Sequence, residues 1–312
     1  MKLTIDQIQE ITKGAVKVWQ QEDGFFRFYR LQETQQEAFI ARNTNFDRRV
    51  ISTASIRLDF YTNSRTALVE TLDAGPWEVM VNGLPQYYLP EQGRITVSLP
   101  EGENRITVML SNHKPTTLKF IQLDEGSWVR PYTYSKKFLF LGDSITQGST
   151  SSRPTTTYVN RISRFYDAEA LNWGVGGSRF FPETVEKTNY DPDVVFIAYG
   201  TNDYVIWDSM ETMRSWAEQY MDRVKELYPN KPVICIGPLW RADGELIRAT
   251  GKHRDVCDCV KELALARGFH HLEGYDLIPH STEYFADGFL HPNDMGFAEY
   301  SMNLLQKLST II

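Results

Sequence analysis

Residues 137–144 have the sequence Lys-Phe-Leu-Phe-Leu-Gly-Asp-Ser, in which four apolar residues lead into a glycine and two polar side chains. A short, uninterrupted apolar run of this kind is typical of a strand that is buried on both faces of a parallel sheet. Two similar runs follow, at residues 193–198 and 232–236. The three runs together predict a parallel sheet in the second half of the chain.

Helical patterns follow these predicted strands. Apolar side chains recur every three or four residues in two segments, the first with Met213, Trp216, Tyr220, Val224 and Leu227, and the second with Val256, Val260 and Leu263. Buried strands that alternate with amphipathic helices are typical of a doubly wound α/β layer, with helices on both faces of the sheet. We therefore predict this architecture for residues 131–312.

The first part of the chain has a different pattern. From about residue 24 to residue 124, β-forming residues alternate with polar ones, and turn residues such as Asn82-Gly83 separate the segments. Residues 54–60, 77–81, 94–99 and 104–110 are predicted strands. Several short strands at this spacing indicate a β-sandwich, so we place an all-β domain at residues 1–130. The pattern of residues 4–19 fits either a helix or an edge strand.

Composition and charge exclude several functional classes. Hydrophobic residues make up 42% of the chain and aromatic residues 13%, which favours a packed core over disorder. The net charge of -7 and the absence of a basic run argue against a nucleic-acid binder. No segment has the eighteen or so apolar residues of a membrane span, and the first residues do not have the pattern of a signal peptide. With only 3 cysteines, we expect a cytoplasmic protein.

The residues that follow the apolar runs are the candidates for function, because ligands of open parallel sheets bind beyond the carboxyl ends of the strands. Four short blocks occupy places of this kind. They are Gly142-Asp-Ser-Ile-Thr146, Asn172-Trp-Gly-Val-Gly-Gly-Ser178, Gly200-Thr-Asn-Asp203 and Asp287-Gly-Phe-Leu-His-Pro292.

The order of these four blocks resembles that of the SGNH, or GDSL-type, hydrolases, a family of esterases and lipases. The resemblance covers about residues 137–305. It implies a flavodoxin-like parallel sheet, a serine nucleophile and no cofactor. The all-β segment before it is similar to the N-terminal domain of two-domain carbohydrate esterases in this family, which implies a sandwich of jelly-roll type.

The resemblance implies roles for residues of the first three blocks. Ser144 would attack the acyl carbonyl, and the oxyanion would be bound by the backbone amides of Ser144 and Gly177 and by the side-chain amide of Asn202. Gly176 takes the place of Gly177 if the alignment shifts by one residue. Taken alone, Ser144 could instead cap the helix that follows it.

The fourth block would supply the base, and it departs from the family pattern. His291 would remove the proton of Ser144, and Asp287 would hold the imidazole ring in the right tautomer. The usual spacing is D-x-x-H, whereas this chain has one more residue between the two side chains. A bulge at Gly288 can absorb the extra residue, which is the interpretation we favour. The alternative is a Ser-His dyad in which a backbone carbonyl replaces the acid.

The candidate substrate-binding residues are Asp143, Tyr204 and Trp240, since aromatic rings in sugar esterases stack on the faces of sugar rings. No metal site is predicted. His270 and His271 are adjacent on a probable strand, so their side chains would point to opposite faces, and no further ligand completes a set.

We expect a serine esterase that hydrolyses small acyl esters, above all acetyl esters of a carbohydrate. Its partner would be a small-molecule or oligosaccharide ester. We expect neither a nucleic acid nor a membrane as a partner. For the oligomeric state, a homodimer is one alternative. Two alternatives remain. One is a lipid or acyl-CoA esterase or thioesterase, and the other is a glycan-binding protein with a vestigial hydrolase domain.

Overall fold

The structure is a computed structural model that describes residues 1–312. Its strands are β1 (Thr12–Lys13), β2 (Lys17–Gln20), β3 (Phe26–Tyr29), β4 (Arg57–Thr62), β5 (Thr66–Asp73), β6 (Trp77–Val81), β7 (Leu84–Leu89), β8 (Arg94–Ser98), β9 (Asn104–Met109), β10 (Thr117–Leu123), β11 (Val129–Pro131), β12 (Lys136–Gly142), β13 (Ala168–Gly174), β14 (Val194–Ala198), β15 (Val233–Ile236) and β16 (His270–Leu272). Its α-helices are α1 (Ile5–Ile11), α2 (Glu33–Arg42), α3 (Asp47–Val50), α4 (Ser144–Gln147), α5 (Tyr158–Phe165), α6 (Asp203–Ile206), α7 (Met210–Leu227), α8 (His253–Ala266) and α9 (Asp294–Leu308).

The first eleven strands form two antiparallel sheets. One has the order β1-β4-β9-β6-β7, with β11 also paired with β4, and the other has the order β2-β3-β10-β5-β8. Alternate side chains of both sheets meet in one apolar core, to which β4 contributes Leu58 and Phe60 and β10 contributes Leu118 and Ile121. This arrangement is what the predicted β-sandwich requires. The jelly-roll connectivity and the domain boundary at residue 130 stay predictions.

The last five strands form the predicted parallel sheet. Their order is β13-β12-β14-β15-β16, which is the 2-1-3-4-5 order of flavodoxin-like folds. Along β12, Phe138 and Phe140 point into one apolar core, whereas Leu139 and Leu141 point into the other. Both faces of the sheet are therefore covered, which explains why its strands are continuous apolar runs in the sequence.

Different helices cover the two faces. Helices α5 and α9 pack on the face of Phe138, and helices α7 and α8 pack on the face of Leu139. The apolar positions that predict α7 and α8 are confirmed, because Met213, Tyr220 and Val260 are buried in this layer. Cys257 and Cys259 are buried side chains of α8.

The prediction of strands throughout residues 24–124 is wrong for residues 33–50. This segment forms α2, a short 3-10 helix (Thr44–Phe46) and α3. Helix α2 buries Gln35 and Phe39, which lie four residues apart on one helical face. Together with Phe46 and Val50, Phe39 packs into the same core as Leu139 of the parallel sheet. A helical segment of the N-terminal region therefore forms part of the layer over the parallel sheet.

Residues 4–19 combine the two structures that their pattern allows. Thr4 caps α1 and accepts a hydrogen bond from the Gln7 backbone N–H, and the short strands β1 and β2 follow the helix.

Arg30 ties the N-terminal region to the parallel sheet. Its side chain is fully buried and donates hydrogen bonds to the backbone oxygens of Ser52 (2.9 Å), Asn172 (2.7 Å) and Arg49 (3.0 Å). In return, the Trp173 indole N–H donates to the backbone oxygen of Arg30 at 2.8 Å. Burial lowers the pKa of Arg30 to about 9, so the guanidinium still carries its charge at neutral pH. The segment before α2 is thereby fixed against β13.

The substitution Arg30→Met should lower the free energy of unfolding by about 3 kcal/mol, because it leaves the buried backbone oxygens of Ser52 and Asn172 without a donor. Urea unfolding followed by tryptophan fluorescence measures this loss. Arg65→Met is the matched control, since Arg65 is exposed and pairs only with the exposed Glu101, so that its loss should stay under about 0.5 kcal/mol. Equal stabilities of the two variants would contradict the role given to Arg30.

Candidate active site

Ser144 is the first residue of α4, at the carboxyl end of β12. Asp143 caps this helix, since its Oδ1 accepts a hydrogen bond from the Ile145 N–H at 2.9 Å. A Cβ at Gly142 would lie 2.0 Å from Thr146 Oγ1, so only glycine allows the strand to turn this sharply into the helix. The turn leaves the Ser144 side chain at the edge of the sheet.

His291 approaches Ser144 from the loop before α9. The Ser144 hydroxyl and His291 Nε2 are 2.8 Å apart, which is hydrogen-bond distance. Two contacts hold this loop in place. The Ala286 N–H donates to the backbone oxygen of His291 at 2.7 Å, and the Thr150 hydroxyl donates to that of Pro292 at 2.8 Å.

Asp287 contacts the other nitrogen of the same ring, with 2.6 Å between its Oδ2 and His291 Nδ1. Its Oδ1 accepts the backbone N–H groups of Phe289, Leu290 and His291 at 2.8–3.1 Å. Gly288 has a φ of +76°, a conformation that favours glycine, and it lies in the turn between the two side chains. The turn absorbs the extra residue of the D-x-x-x-H spacing, and it brings Asp287 to His291.

The same hydrogen bonds control the charge of Asp287. Partial burial acts to raise the pKa of this carboxyl, but the N–H of Leu290 and the His291 ring outweigh burial and lower the pKa to about 2. Asp287 is therefore an anion at neutral pH, and it favours the tautomer of His291 that carries its proton on Nδ1. In that tautomer, Nε2 is free to accept the Ser144 proton.

Two backbone N–H groups near Ser144 have no acceptor within the protein. They belong to Ser144 and Gly177. The Asn202 side-chain amide lies beside them, where its Nδ2 donates to the backbone oxygen of Ser178 at 3.0 Å and has a long 3.5 Å contact with Asp143 Oδ2. The structure thus brings together the three donors that the sequence singles out.

Several residues that the sequence analysis missed hold the glycine loop 174–177. Gln147 Oε1 accepts the Gly176 N–H at 2.8 Å, and Asn172 Oδ1 accepts the Gly174 N–H at 2.8 Å. Arg49 Nη1 donates to the backbone oxygen of Gly176 at 2.6 Å. Gln147 and Asn172 lie inside or beside the four sequence blocks, and this position could have identified them as residues of the site. Nothing in the sequence links Arg49 to this loop.

A comparison with protein-family models matches the GDSL-like Lipase/Acylhydrolase family over residues 140–298, just over half of the chain. The chain belongs to this family. The resemblance inferred from the four blocks is thereby confirmed. A search of curated proteins finds no match.

Solved structures show the fold of this GDSL-like chain over nearly its full length. The salicylyl-acyltransferase SsfX3 from a tetracycline biosynthetic pathway is 18% identical, with a TM-score of 0.81 over 96% of this chain and 94% of its own. A family two carbohydrate esterase from Cellvibrio japonicus is 15% identical, with a TM-score of 0.68 over 98% and 96%. An acetyl xylan esterase from Butyrivibrio proteoclasticus is 15% identical, with a TM-score of 0.57 over 82% and 88%.

The candidate substrate-binding residues of this GDSL-like protein differ in their surroundings. Asp143 is fully buried, and burial raises its pKa to about 7. Tyr204 is also fully buried, and its hydroxyl donates to the backbone oxygens of Asp243 and Leu246, so it braces a loop inside the protein. Trp240 is partly exposed after β15, where its ring stacks on His280. Of the three, only Trp240 is partly exposed to solvent.

A cleft of about 820 Å³ lies at the opposite edge of the parallel sheet. Lys137 and Glu169, at the starts of β12 and β13, line this cleft together with Tyr29 and Tyr190. It is therefore separate from the Ser144 site. No group of three or more His, Cys, Asp or Glu side chains is placed to hold a metal ion.

None of the helices has both the length and the apolar character that crossing a membrane requires.

Proposed function

We propose that the protein is a serine esterase that hydrolyses small acyl esters, above all acetyl esters of a carbohydrate. The observation that carries this proposal is the continuous chain of hydrogen bonds from Ser144 through His291 to Asp287, with distances of 2.8 and 2.6 Å. A serine hydroxyl is a weak nucleophile until a base within hydrogen-bond reach removes its proton. His291 is such a base, and Asp287 holds it.

The first half of the reaction acylates Ser144. Its Oγ attacks the acyl carbonyl carbon while His291 Nε2 takes the hydroxyl proton, and the carbonyl π pair moves onto oxygen. The resulting imidazolium is stabilised by the charge of Asp287. When the tetrahedral intermediate collapses, the bond to the alcohol oxygen breaks and His291 returns the proton to that oxygen.

The negative charge on the carbonyl oxygen needs donors that are in place before the reaction starts. The unpaired N–H groups of Ser144 and Gly177 supply two of them. Asn202 supplies the third, because its long contact with Asp143 is weak enough to give way to an oxyanion. Donors preorganised in this way are usually the largest single contribution to acyl transfer.

The second half of the reaction releases the acid. Water takes the place of the alcohol, gives a proton to His291 Nε2 and attacks the acyl-Ser144 carbonyl. Collapse of the second tetrahedral intermediate breaks the bond to Ser144 Oγ, which recovers its proton from His291. No cofactor takes part in either half.

The preference for acetylated carbohydrate is supported by the structural neighbours. Two of them are named as a family two carbohydrate esterase and an acetyl xylan esterase, and both share this fold. Within the chain, Trp240 after β15 is partly exposed, and an aromatic side chain of this kind can pack on a sugar ring.

A specific observation favours a second candidate, an esterase or thioesterase for long acyl chains. The loops that flank Asn202 and His291 expose several large apolar side chains. Ile247 is 81% exposed, and the others are Val205, Ile206, Leu246 and Phe289. Hydrogen bonds from Tyr204 to Leu246 and from Ala242 to Phe289 connect these loops. A surface of this kind could bind an acyl chain or a lipid.

The triad is tested with p-nitrophenyl acetate. Ser144→Ala should abolish hydrolysis, with Ser149→Ala as the unchanged control. Asp287→Asn should lower kcat by about 10³- to 10⁴-fold, because the amide keeps its oxygen on the backbone N–H groups but turns Nδ2 toward His291 and reverses the tautomer. Asp276→Asn is the matched control, since Asp276 also stands four residues before its histidine, His280, and lies outside the site.

Retention of more than about a tenth of kcat by Asp287→Asn would contradict the triad and favour the Ser-His dyad. Full activity of Ser144→Ala would contradict the nucleophile.

The substrate class is tested by comparing kcat/KM for p-nitrophenyl acetate, butyrate and octanoate, and then acetate release from acetylated xylo-oligosaccharides. We expect acetate to be preferred and acetate to be released from the sugar. A preference for octanoate would favour the long-chain candidate instead. An inert protein that binds the oligosaccharides would favour a glycan-binding protein with a vestigial hydrolase domain.

A further inference from the structure

Arg49 lies outside the residues that match the family, yet its side chain reaches the candidate oxyanion site. It belongs to the short helix α3, and Val50 of this helix and the preceding Phe46 are buried against the parallel-sheet core. The fully buried Arg30 holds the backbone oxygen of Arg49 at 3.0 Å. The backbone of Arg49 is therefore fixed, and the side chain extends from a rigid base.

The Arg49 guanidinium contacts one peptide group of the glycine loop. Nη1 donates to the Gly176 carbonyl oxygen at 2.6 Å. A Cβ at Gly177 would lie 2.4 Å from this nitrogen, so a side chain at residue 177 would displace Arg49. A Cβ at Gly176 would lie 3.5 Å from Arg49 Cδ and 3.6 Å from Ser144 Cβ. Arg49 is thus close to the nucleophile.

The contacted carbonyl shares its peptide group with the Gly177 N–H. A trans peptide is planar, and its C=O and N–H point in opposite directions. A donor that fixes the Gly176 oxygen therefore also fixes the direction of the Gly177 N–H. This matters because both flanking residues are glycines, which rotate with little steric restriction. Gln147 holds only the preceding N–H, that of Gly176.

The positive charge of Arg49 adds a second effect. A hydrogen bond from a cation to a carbonyl oxygen draws electron density toward that oxygen, and the N–H at the other end of the peptide becomes a stronger donor. This N–H has no acceptor in the protein.

We propose that Arg49 is a positioning residue, which orients and polarises the Gly176–Gly177 peptide so that the Gly177 N–H can bind the oxyanion. The inference rests on the proposed esterase function. It assigns to the N-terminal region a part of the active site that the family match does not include.

The test uses Arg49→Met and Arg49→Lys, with the exposed neighbour Arg48→Met as the matched control. Arg49→Met should lower kcat about 10- to 100-fold and leave KM within about twofold, because the lost stabilisation belongs to the transition state. Affinity for a boronic acid that mimics the tetrahedral intermediate should fall by the same factor as kcat/KM. Arg49→Lys should recover part of the loss, and Arg48→Met should match the wild type.

A spectroscopic measurement tests the contact without relying on activity. Gly176-Gly177 is the only Gly-Gly pair in the chain, so protein labelled with carbonyl-¹³C and ¹⁵N glycine gives one signal in an HNCO spectrum. This signal should move in Arg49→Met and stay in place in Arg48→Met.

Three outcomes would overturn the inference. They are an unmoved signal in Arg49→Met, an unchanged kcat, and a rise in KM alone, which would make Arg49 a substrate contact. Failure of the proposed function would look different, since wild type and Ser144→Ala would then be equally inert.

Discussion

The candidate site depends on one constraint, which is that all strands of a parallel sheet end at the same edge. Ser144 follows β12, the glycine loop follows β13, and Asn202 follows β14. These residues are far apart in sequence, and the shared edge of the sheet brings them together. The loop before α9 then adds His291 and Asp287 from the far end of the chain. Because both faces of the sheet are covered by helices, the edge is rigid, and a rigid edge is what preorganised catalysis requires.

The N-terminal region is more than a separate β-sandwich placed before the hydrolase. Its helices α2 and α3 cover part of the parallel sheet, and Arg30 binds the backbone of β13 through a buried, charged hydrogen bond. Removing water from a guanidinium is costly, so such a group is expected only where its donors are fully used. Here they fix the segment that carries Arg49. The region therefore contacts the candidate active site in two ways, through the bond of Arg30 to the backbone of β13 and through the Arg49 side chain at the glycine loop.

Much of this arrangement could be predicted from the sequence, because the local pattern of apolar residues matches the burial that each strand has in the fold. The apolar run before Ser144 predicts β12 since both faces of that strand are buried, and the four blocks stand where the strands end. The helices of residues 33–50 could not be predicted in this way. Their buried face is set by the parallel sheet more than a hundred residues later, where the buried Gln35 donates a hydrogen bond to the backbone of Thr184. The contact of Arg49 with the glycine loop could not be predicted from the sequence for the same reason. An exposed arginine on a short helix has no local sequence pattern that identifies its partner.

The central claim is that Ser144 is a nucleophile activated by His291, and covalent labelling tests it most directly. A fluorophosphonate reacts with an activated serine hydroxyl, forming a phosphorus–oxygen bond as fluoride leaves, and mass spectrometry locates the adduct. We predict a single adduct on Ser144 in the wild type and none in His291→Ala. An adduct on another residue, or equal labelling of Ser144 without His291, would contradict the account.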